Sequence, residues 1–112
     1  PLTIVLLRDP RLPDAIGSGG TVGVRAPDHP VALDLLRAAG PMATSSANRS
    51  GELSLQTAAE VMVFLGGRID FVVDGGVAPG GQPSTVVDCT GEGPLLVRQG
   101  PVSLESILAV WK

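Results

Sequence analysis

Cysteine, histidine, lysine and aromatic residues are all scarce in this chain of 112 residues. Cys89 is the single cysteine, which excludes an internal disulfide and agrees with a cytoplasmic protein. His29 is the single histidine, which excludes a metal site built from several histidines. We expect no signal peptide, and because no apolar run approaches the roughly 18 residues of a membrane helix, we also expect no membrane segment.

The remaining composition indicates an α/β protein. Aromatic residues make up 3% of the chain and tyrosine is absent, whereas hydrophobic residues make up 44%. The core must therefore consist of Val, Leu, Ile and Ala, as in buried sheets. The formal net charge of −3, with seven arginines and one lysine, argues against broad electrostatic binding of nucleic acid but leaves a local arginine patch open.

Hydrophobic periodicity divides the chain into short strands and helices. The apolar run at 2–7 predicts a buried strand, and because it follows Pro1 without a lead-in, we expect an N-terminal portion to be missing. Further strands are predicted at 21–26, 69–73, 84–89 and 94–98. Helices are predicted to follow the caps Asp28, Thr57 and Ser103 and to end at Ala39, Leu65 and Trp111.

Neither of the common glycine-rich phosphate-binding motifs is present. The glycine cluster at 17–20 lacks the G-x-G-x-x-G spacing of a dinucleotide site. No G-x-x-x-x-G-K-[ST] sequence occurs in the chain, so a P-loop is also excluded.

The second predicted strand carries an unusual face. Thr21, Gly23 and Arg25 alternate onto one side of it, so a hydroxyl and a guanidinium flank a residue without a side chain. Glycine within a strand weakens it and often marks the close approach of a ligand or another backbone. The alternative is a solvated edge that carries a surface arginine.

The segment from Pro41 to Gly51 joins two predicted helices and is dense in hydroxyl and amide side chains. Such side chains either form turns by bonding to their own backbone or face a ligand. Composition alone favours the turn and leaves both interpretations open. If the chain is extended there, Ser46 and Asn48 point the same way.

The strands predicted at 84–89 and 94–98 flank a glycine-rich turn and form a β-hairpin. With the turn centred near Gly91, Ser84 pairs with Arg98 at the far end of the hairpin. Directly opposed side chains lie ~5 Å apart at Cβ. A hydroxyl beside a guanidinium is a suitable clamp for a phosphate.

Six segments, in their order and spacing, resemble the Sua5/YciO/YrdC family over essentially the whole chain. They are Thr21 to Pro30, Ser45 to Glu52, Gly66 to Asp70, Asp74 to Gly76, Ser84 to Asp88 and Arg98 to Gly100. The resemblance implies that residues 1–112 are the C-terminal part of a single YrdC-like domain. Its fold would be α/β, with a twisted, open, mixed sheet flanked by helices and incomplete at the N-terminus.

The best-known activity of that family is threonylcarbamoyl-AMP synthesis, a nucleotidyl transfer. L-threonine, bicarbonate and ATP are joined with release of diphosphate, and the product supplies the t6A modification of tRNA. The resemblance implies these three substrates, Mg²⁺ with the ATP phosphates, and tRNA or a t6A-transferase complex as a partner. Adenylation of this kind depends mainly on positioning anionic groups and on stabilising charge at the transferring phosphorus.

Matched position by position, the resemblance implies two sets of binding residues, no catalytic acid or base, and no metal ligand. The ATP set is Thr21, Ser46, Asn48, Ser54 and Arg98. The L-threonine set is Arg25, Thr44 and Ser84. The family's K-x-R motif lies upstream of the matching region and is absent here, and Lys112 cannot replace it. Alternatively, the chain is a non-catalytic RNA-binding module or an inactive paralogue. The net charge of −3 argues against RNA binding.

Overall fold

A computed structural model describes residues 1–16, 19–48, 52, 54–79 and 82–112. Parts of the predicted glycine turns (Gly17, Ser18, Gly80 and Gly81) and of the polar loop (49–51) lie outside these residues. The chain divides into two compact units. The sheet unit consists of Pro1–His29 and Gln82–Lys112, and the helical unit consists of Pro30–Gly81.

The sheet unit contains a four-stranded mixed sheet. Its strands are β1 (Leu2–Leu7), β2 (Thr21–Val24), β3 (Thr85–Asp88) and β4 (Leu95–Arg98), in the order β2-β1-β3-β4. Strand β1 runs antiparallel to β2 and parallel to β3, and β3 runs antiparallel to β4. The unit also contains a short 3-10 helix, Asp14–Ile16, and helix α3, Leu104–Leu108. The open mixed sheet implied by the resemblance is thereby confirmed.

Two side chains on the same side of β3 form the centre of the core in the sheet unit. Thr85 and Val87 are 0% and 1% exposed, and Ile107 of α3 is also buried. The Thr85 hydroxyl donates to the Val102 carbonyl at 2.7 Å and accepts from the N–H groups of Gly100 and Val102, both at 3.0 Å. Because a buried hydroxyl must be satisfied, these bonds fix the segment between β4 and α3 against β3.

The helical unit contains the helices α1 (Pro30–Ala39) and α2 (Ala58–Leu65). Helix α1 ends at Gly40, whose φ of 80° suits glycine, as predicted. The capping box predicted at Thr57 is confirmed, because its hydroxyl accepts from the Glu60 N–H and the Glu60 carboxylate accepts from the Thr57 N–H. None of the described helices is long and apolar enough to cross a membrane.

The strand predicted at 69–73 is wrong. This segment has no regular secondary structure, and Phe71 and Val73 within it are 78% and 51% exposed. A strand requires a neighbour for its backbone hydrogen bonds, and no described strand pairs with this segment. Four other predicted elements are shorter than expected. β2 ends at Val24, α3 ends at Leu108, and the two strands of the hairpin are Thr85–Asp88 and Leu95–Arg98.

Candidate functional site

One face of the sheet, which we call the site face, carries Thr3, Thr21, Gly23, Ser84 and Arg98. Directly paired residues of neighbouring strands share a face, and here Val5 pairs with Gly23, Thr3 with Val86, and Val86 with Arg98. Residues two apart along an extended chain also share a face, which adds Thr21 and Ser84. The sheet therefore brings three of the predicted binding residues onto one surface.

The predicted contact between Ser84 and Arg98 is confirmed, although the predicted register is wrong. Arg98 donates from Nη2 to Ser84 Oγ at 3.2 Å and from Nε to the Ser84 carbonyl oxygen at 3.0 Å. In the sheet, however, Arg98 pairs with Val86, and the register shifts between Val86 and Val87. A shift of this kind adds a residue to one strand, and the long arginine side chain then reaches diagonally back to Ser84.

Thr3 also contacts Ser84 and was not among the predicted binding residues. Its Oγ1 lies 2.8 Å from Ser84 Oγ, so a hydrogen bond joins the two hydroxyls. Thr3 is the single polar residue in the otherwise apolar β1. That one hydroxyl in an apolar run is the signal in the sequence that marks Thr3 as unusual, although it does not identify Ser84 as its partner.

Arg25, the other arginine among the predicted binding residues, directly follows β2. It is exposed and makes no hydrogen bond or ion pair with any described residue. Three other arginines pair with nearby aspartates: Arg8, Arg11 and Arg37. Within the described part of the chain, Arg98 likewise lacks a carboxylate partner. Both guanidinium groups are therefore available to carboxylate or phosphate groups, which they bind in a bidentate manner.

Gly23 leaves the site face open beside Thr3. A Cβ added to it would lie 3.4 Å from Thr3 Cγ2, an ordinary van der Waals contact, and near no other side chain or backbone atom. Its φ is not in the left-handed region. Neither strain nor a crossing backbone therefore explains the glycine, and the approach of a ligand stays a prediction.

Asp88 places a carboxylate on the site face, since it pairs with Val5. Its Oδ1 accepts bonds from the Thr90 hydroxyl at 2.7 Å and the Thr90 N–H at 2.8 Å, which lower the pKa of Asp88. The carboxylate thus stays charged and holds the hairpin turn.

No group of three His, Cys, Asp or Glu side chains that could hold a metal ion occurs among the described residues. The described residues therefore offer no cluster of carboxylates for a Mg²⁺ ion.

The other predicted binding residues lie in the helical unit, in segments without regular structure: Thr44, Ser46, Asn48 and Ser54. The chain bends at 47–48, so the extended geometry expected for Ser46 and Asn48 is wrong. Asn48 instead donates from Nδ2 to the Glu52 carbonyl at 2.8 Å, and the Thr44 hydroxyl donates to the Met42 carbonyl at 3.2 Å. These are the local bonds of turn-forming side chains. The ligand roles of these four residues stay predictions.

The fold and the site define the class of this protein. It is an α/β protein whose mixed sheet carries, on one face, hydroxyl groups and an arginine that has no carboxylate partner among the described residues, as suits binding of phosphate or carboxylate. The model of the Sua5/YciO/YrdC family, described as "Telomere recombination", matches residues 1–100. The chain belongs to this family.

The relatives that this chain resembles are longer than the chain itself. A protein of Mycobacterium tuberculosis (strain ATCC 25618 / H37Rv) is 43% identical over 110 residues, which cover 97% of this chain and 51% of the relative. The threonylcarbamoyl-AMP synthase of Bacillus subtilis (strain 168) is 44% identical over 115 residues, covering 97% of this chain and 32% of that protein. The crystal structure of P. abyssi Sua5 complexed with L-threonine matches with a TM-score of 0.85 and 39% identity, covering 96% and 32%. The chain thus spans about a third to a half of these proteins.

Proposed function

We propose that the chain is the part of a threonylcarbamoyl-AMP synthase that contributes binding groups for ATP and L-threonine. The observation that carries the proposal is the site face, where Ser84 and Arg98 are hydrogen-bonded and share a surface with Thr21. Arg25, without an ionic partner among the described residues, directly follows β2 in the same unit. Support also comes from the relatives, since the P. abyssi protein binds L-threonine and the B. subtilis protein is named for this reaction.

The proposed reaction uses anionic groups throughout. The amine of L-threonine forms a C–N bond to the carbon of bicarbonate, a C–O bond breaks and water leaves, which gives a carbamate. A carbamate oxygen then attacks the α-phosphorus of ATP while the bond to diphosphate breaks and diphosphate leaves. Arg25 would hold the carboxylate of L-threonine, with Ser84 beside it, and Arg98 would hold ATP phosphate oxygens. The further proposed contacts are Thr21, Ser46, Asn48 and Ser54 for ATP and Thr44 for L-threonine. The chain's contribution is therefore positioning and charge stabilisation, without proton transfer by a side chain.

Mg²⁺ and tRNA enter this proposal through the substrates. Mg²⁺ would be bound by phosphate oxygens and water, since the described residues offer no carboxylate cluster for it. We place the protein in the cytoplasm, where a t6A-transferase complex would pass the threonylcarbamoyl group to tRNA. The net charge of −3 argues against direct binding of tRNA by this part of the protein.

Isothermal titration with ATP and with L-threonine, on the protein at its natural length, tests the proposal. Arg25→Ala should weaken L-threonine and Arg98→Ala should weaken ATP, each about 10- to 100-fold, because each removes a charged hydrogen-bonding partner. Arg37→Ala is the matched control, since Arg37 pairs with Asp34 on helix α1 and should leave both affinities unchanged. Absence of heat with the wild-type protein, or equal affinities in all four proteins, would contradict the proposal.

A further inference from the structure

We infer that Thr3 is a positioning residue that fixes the Ser84 hydroxyl on the site face, beside the Arg98 guanidinium. Thr3 Oγ1 lies 2.8 Å from Ser84 Oγ, and Ser84 Oγ lies 3.2 Å from Arg98 Nη2. These two bonds form a continuous chain of side chains across β1, β3 and β4. The inference rests on the proposed function only for the identity of the ligand.

Thr3 is the rigid end of this chain of bonds. It is half-buried in a strand that is paired on both sides, and a β-branched residue has a restricted χ1 angle. Arg98 is exposed and ends a long, flexible side chain, so its bond alone cannot fix Ser84. Ser84 is 6% exposed and lies between them. The orientation of the Ser84 hydroxyl is therefore determined by Thr3, whereas Arg98 is also held by the bond from its Nε to the Ser84 carbonyl.

The chemistry of the donors determines the direction of these bonds. A guanidinium only donates, so Ser84 Oγ must accept from Arg98, which leaves one proton and one lone pair on the serine hydroxyl. An anionic oxygen bound beside Arg98 only accepts, so Ser84 must donate its proton to that oxygen. Thr3 must then donate to the remaining lone pair of Ser84. Hydrogen bonds that run in one direction, from Thr3 to Ser84 to the anion, strengthen one another.

The orientation of Ser84 can be measured without any substrate. Three-bond Hα–Hβ couplings of Ser84, measured by NMR on the protein at its natural length, report its χ1 rotamer. We expect one rotamer in the wild-type protein and in Thr3→Ser, and an averaged mixture in Thr3→Val, which keeps the β-branched shape but lacks the hydroxyl. Unchanged couplings in Thr3→Val would overturn the inference, whether or not the protein binds L-threonine.

Substrate affinity provides a second, independent test. Thr3→Val should raise the KM for L-threonine about 3- to 10-fold, which corresponds to one lost hydrogen bond, while Thr3→Ser should retain most of the affinity. The KM for ATP should change by less than about twofold, because the bond from Arg98 Nε to the Ser84 carbonyl remains.

The role of Ser84 in this effect is tested by a double-mutant cycle. In a Ser84→Ala background, Thr3→Val should have no further effect on L-threonine. If Thr3→Val weakens L-threonine equally in the wild-type and Ser84→Ala backgrounds, the effect arises from general strand stability and the inference is overturned. A wild-type protein that binds neither substrate would reject the proposed function, and the NMR couplings would still decide the role of Thr3.

Discussion

Replacement of Gly100 by alanine tests how closely the segment after β4 packs against β3. Gly100 is buried, and a Cβ built on it would lie 2.5 Å from the Pro83 carbonyl oxygen and 2.6 Å from the Ser84 carbonyl carbon. It would also contact the Thr85 nitrogen. All three atoms belong to the backbone, so no rotation of a side chain can relieve the overlap. The segment and β3 must move apart.

The expected cost follows from this separation. Real Cβ atoms essentially never approach other atoms closer than 3.0 Å, so the backbones must separate by roughly half an ångström. Overpacking of a buried site costs about 1–3 kcal/mol. Stretching the 3.0 Å bond from the Gly100 N–H to the buried Thr85 hydroxyl adds about 1 kcal/mol. We therefore expect Gly100→Ala to lower the free energy of unfolding by about 2–4 kcal/mol.

Urea unfolding followed by circular dichroism measures this difference, provided that the slope of the transition is unchanged. Gly91→Ala and Gly93→Ala are matched controls in the hairpin turn, where an added Cβ would meet nothing within 4 Å. Neither glycine has a left-handed φ, so both variants should stay within about 0.5 kcal/mol of the wild-type protein. If Gly100→Ala is as stable as these controls, the close packing of this segment on β3 is refuted.

Two further predictions concern a helix cap and a titrating carboxylate. Thr57→Ala should lower the free energy of unfolding by about 1 kcal/mol in the same urea assay, because it removes the acceptor for the Glu60 N–H. Thr57→Ser keeps a hydroxyl and should have no such effect. Equal losses of stability in the two variants would exclude the capping role. Hydrogen bonds from Thr90 lower the pKa of Asp88 in the folded state. Their contribution to the stability of the folded protein is therefore complete above the unfolded-state pKa of this carboxyl and is lost as the pH falls through its folded-state pKa. Asp88→Asn should therefore reduce the dependence of the urea midpoint on pH below about 4. A midpoint that falls as steeply in the variant would contradict this linkage.

The elements that the sequence predicted well are those determined by near neighbours along the chain. The end of α1 at Gly40 depends on one glycine, and the start of α2 depends on Thr57 and Glu60, three residues apart. The alternation of Thr21 and Gly23 likewise needed only the period of a strand. Such features follow from local backbone chemistry, without knowledge of which strands are neighbours.

The features that the sequence did not predict depend on distant partners. The apolar residues at 69–73 fit a strand, but the structure pairs no described strand with them. Ser84 was correctly placed near Arg98, yet the bulge that sets their register has no clear pattern in the sequence. Thr3 could be recognised as a partner of Ser84 only after the parallel pairing of β1 with β3 was known.

The parallel pairing of β1 with β3 has a consequence for the order in which the chain folds. Thr3 and Ser84 are 81 residues apart in sequence, so β1 leaves the ribosome long before β3, one of its two neighbours, is available. Contacts of such high sequence separation form slowly, because the intervening chain must first lose conformational freedom. During synthesis β1 therefore exposes an unpaired apolar edge, which is where binding by a chaperone would protect the nascent protein.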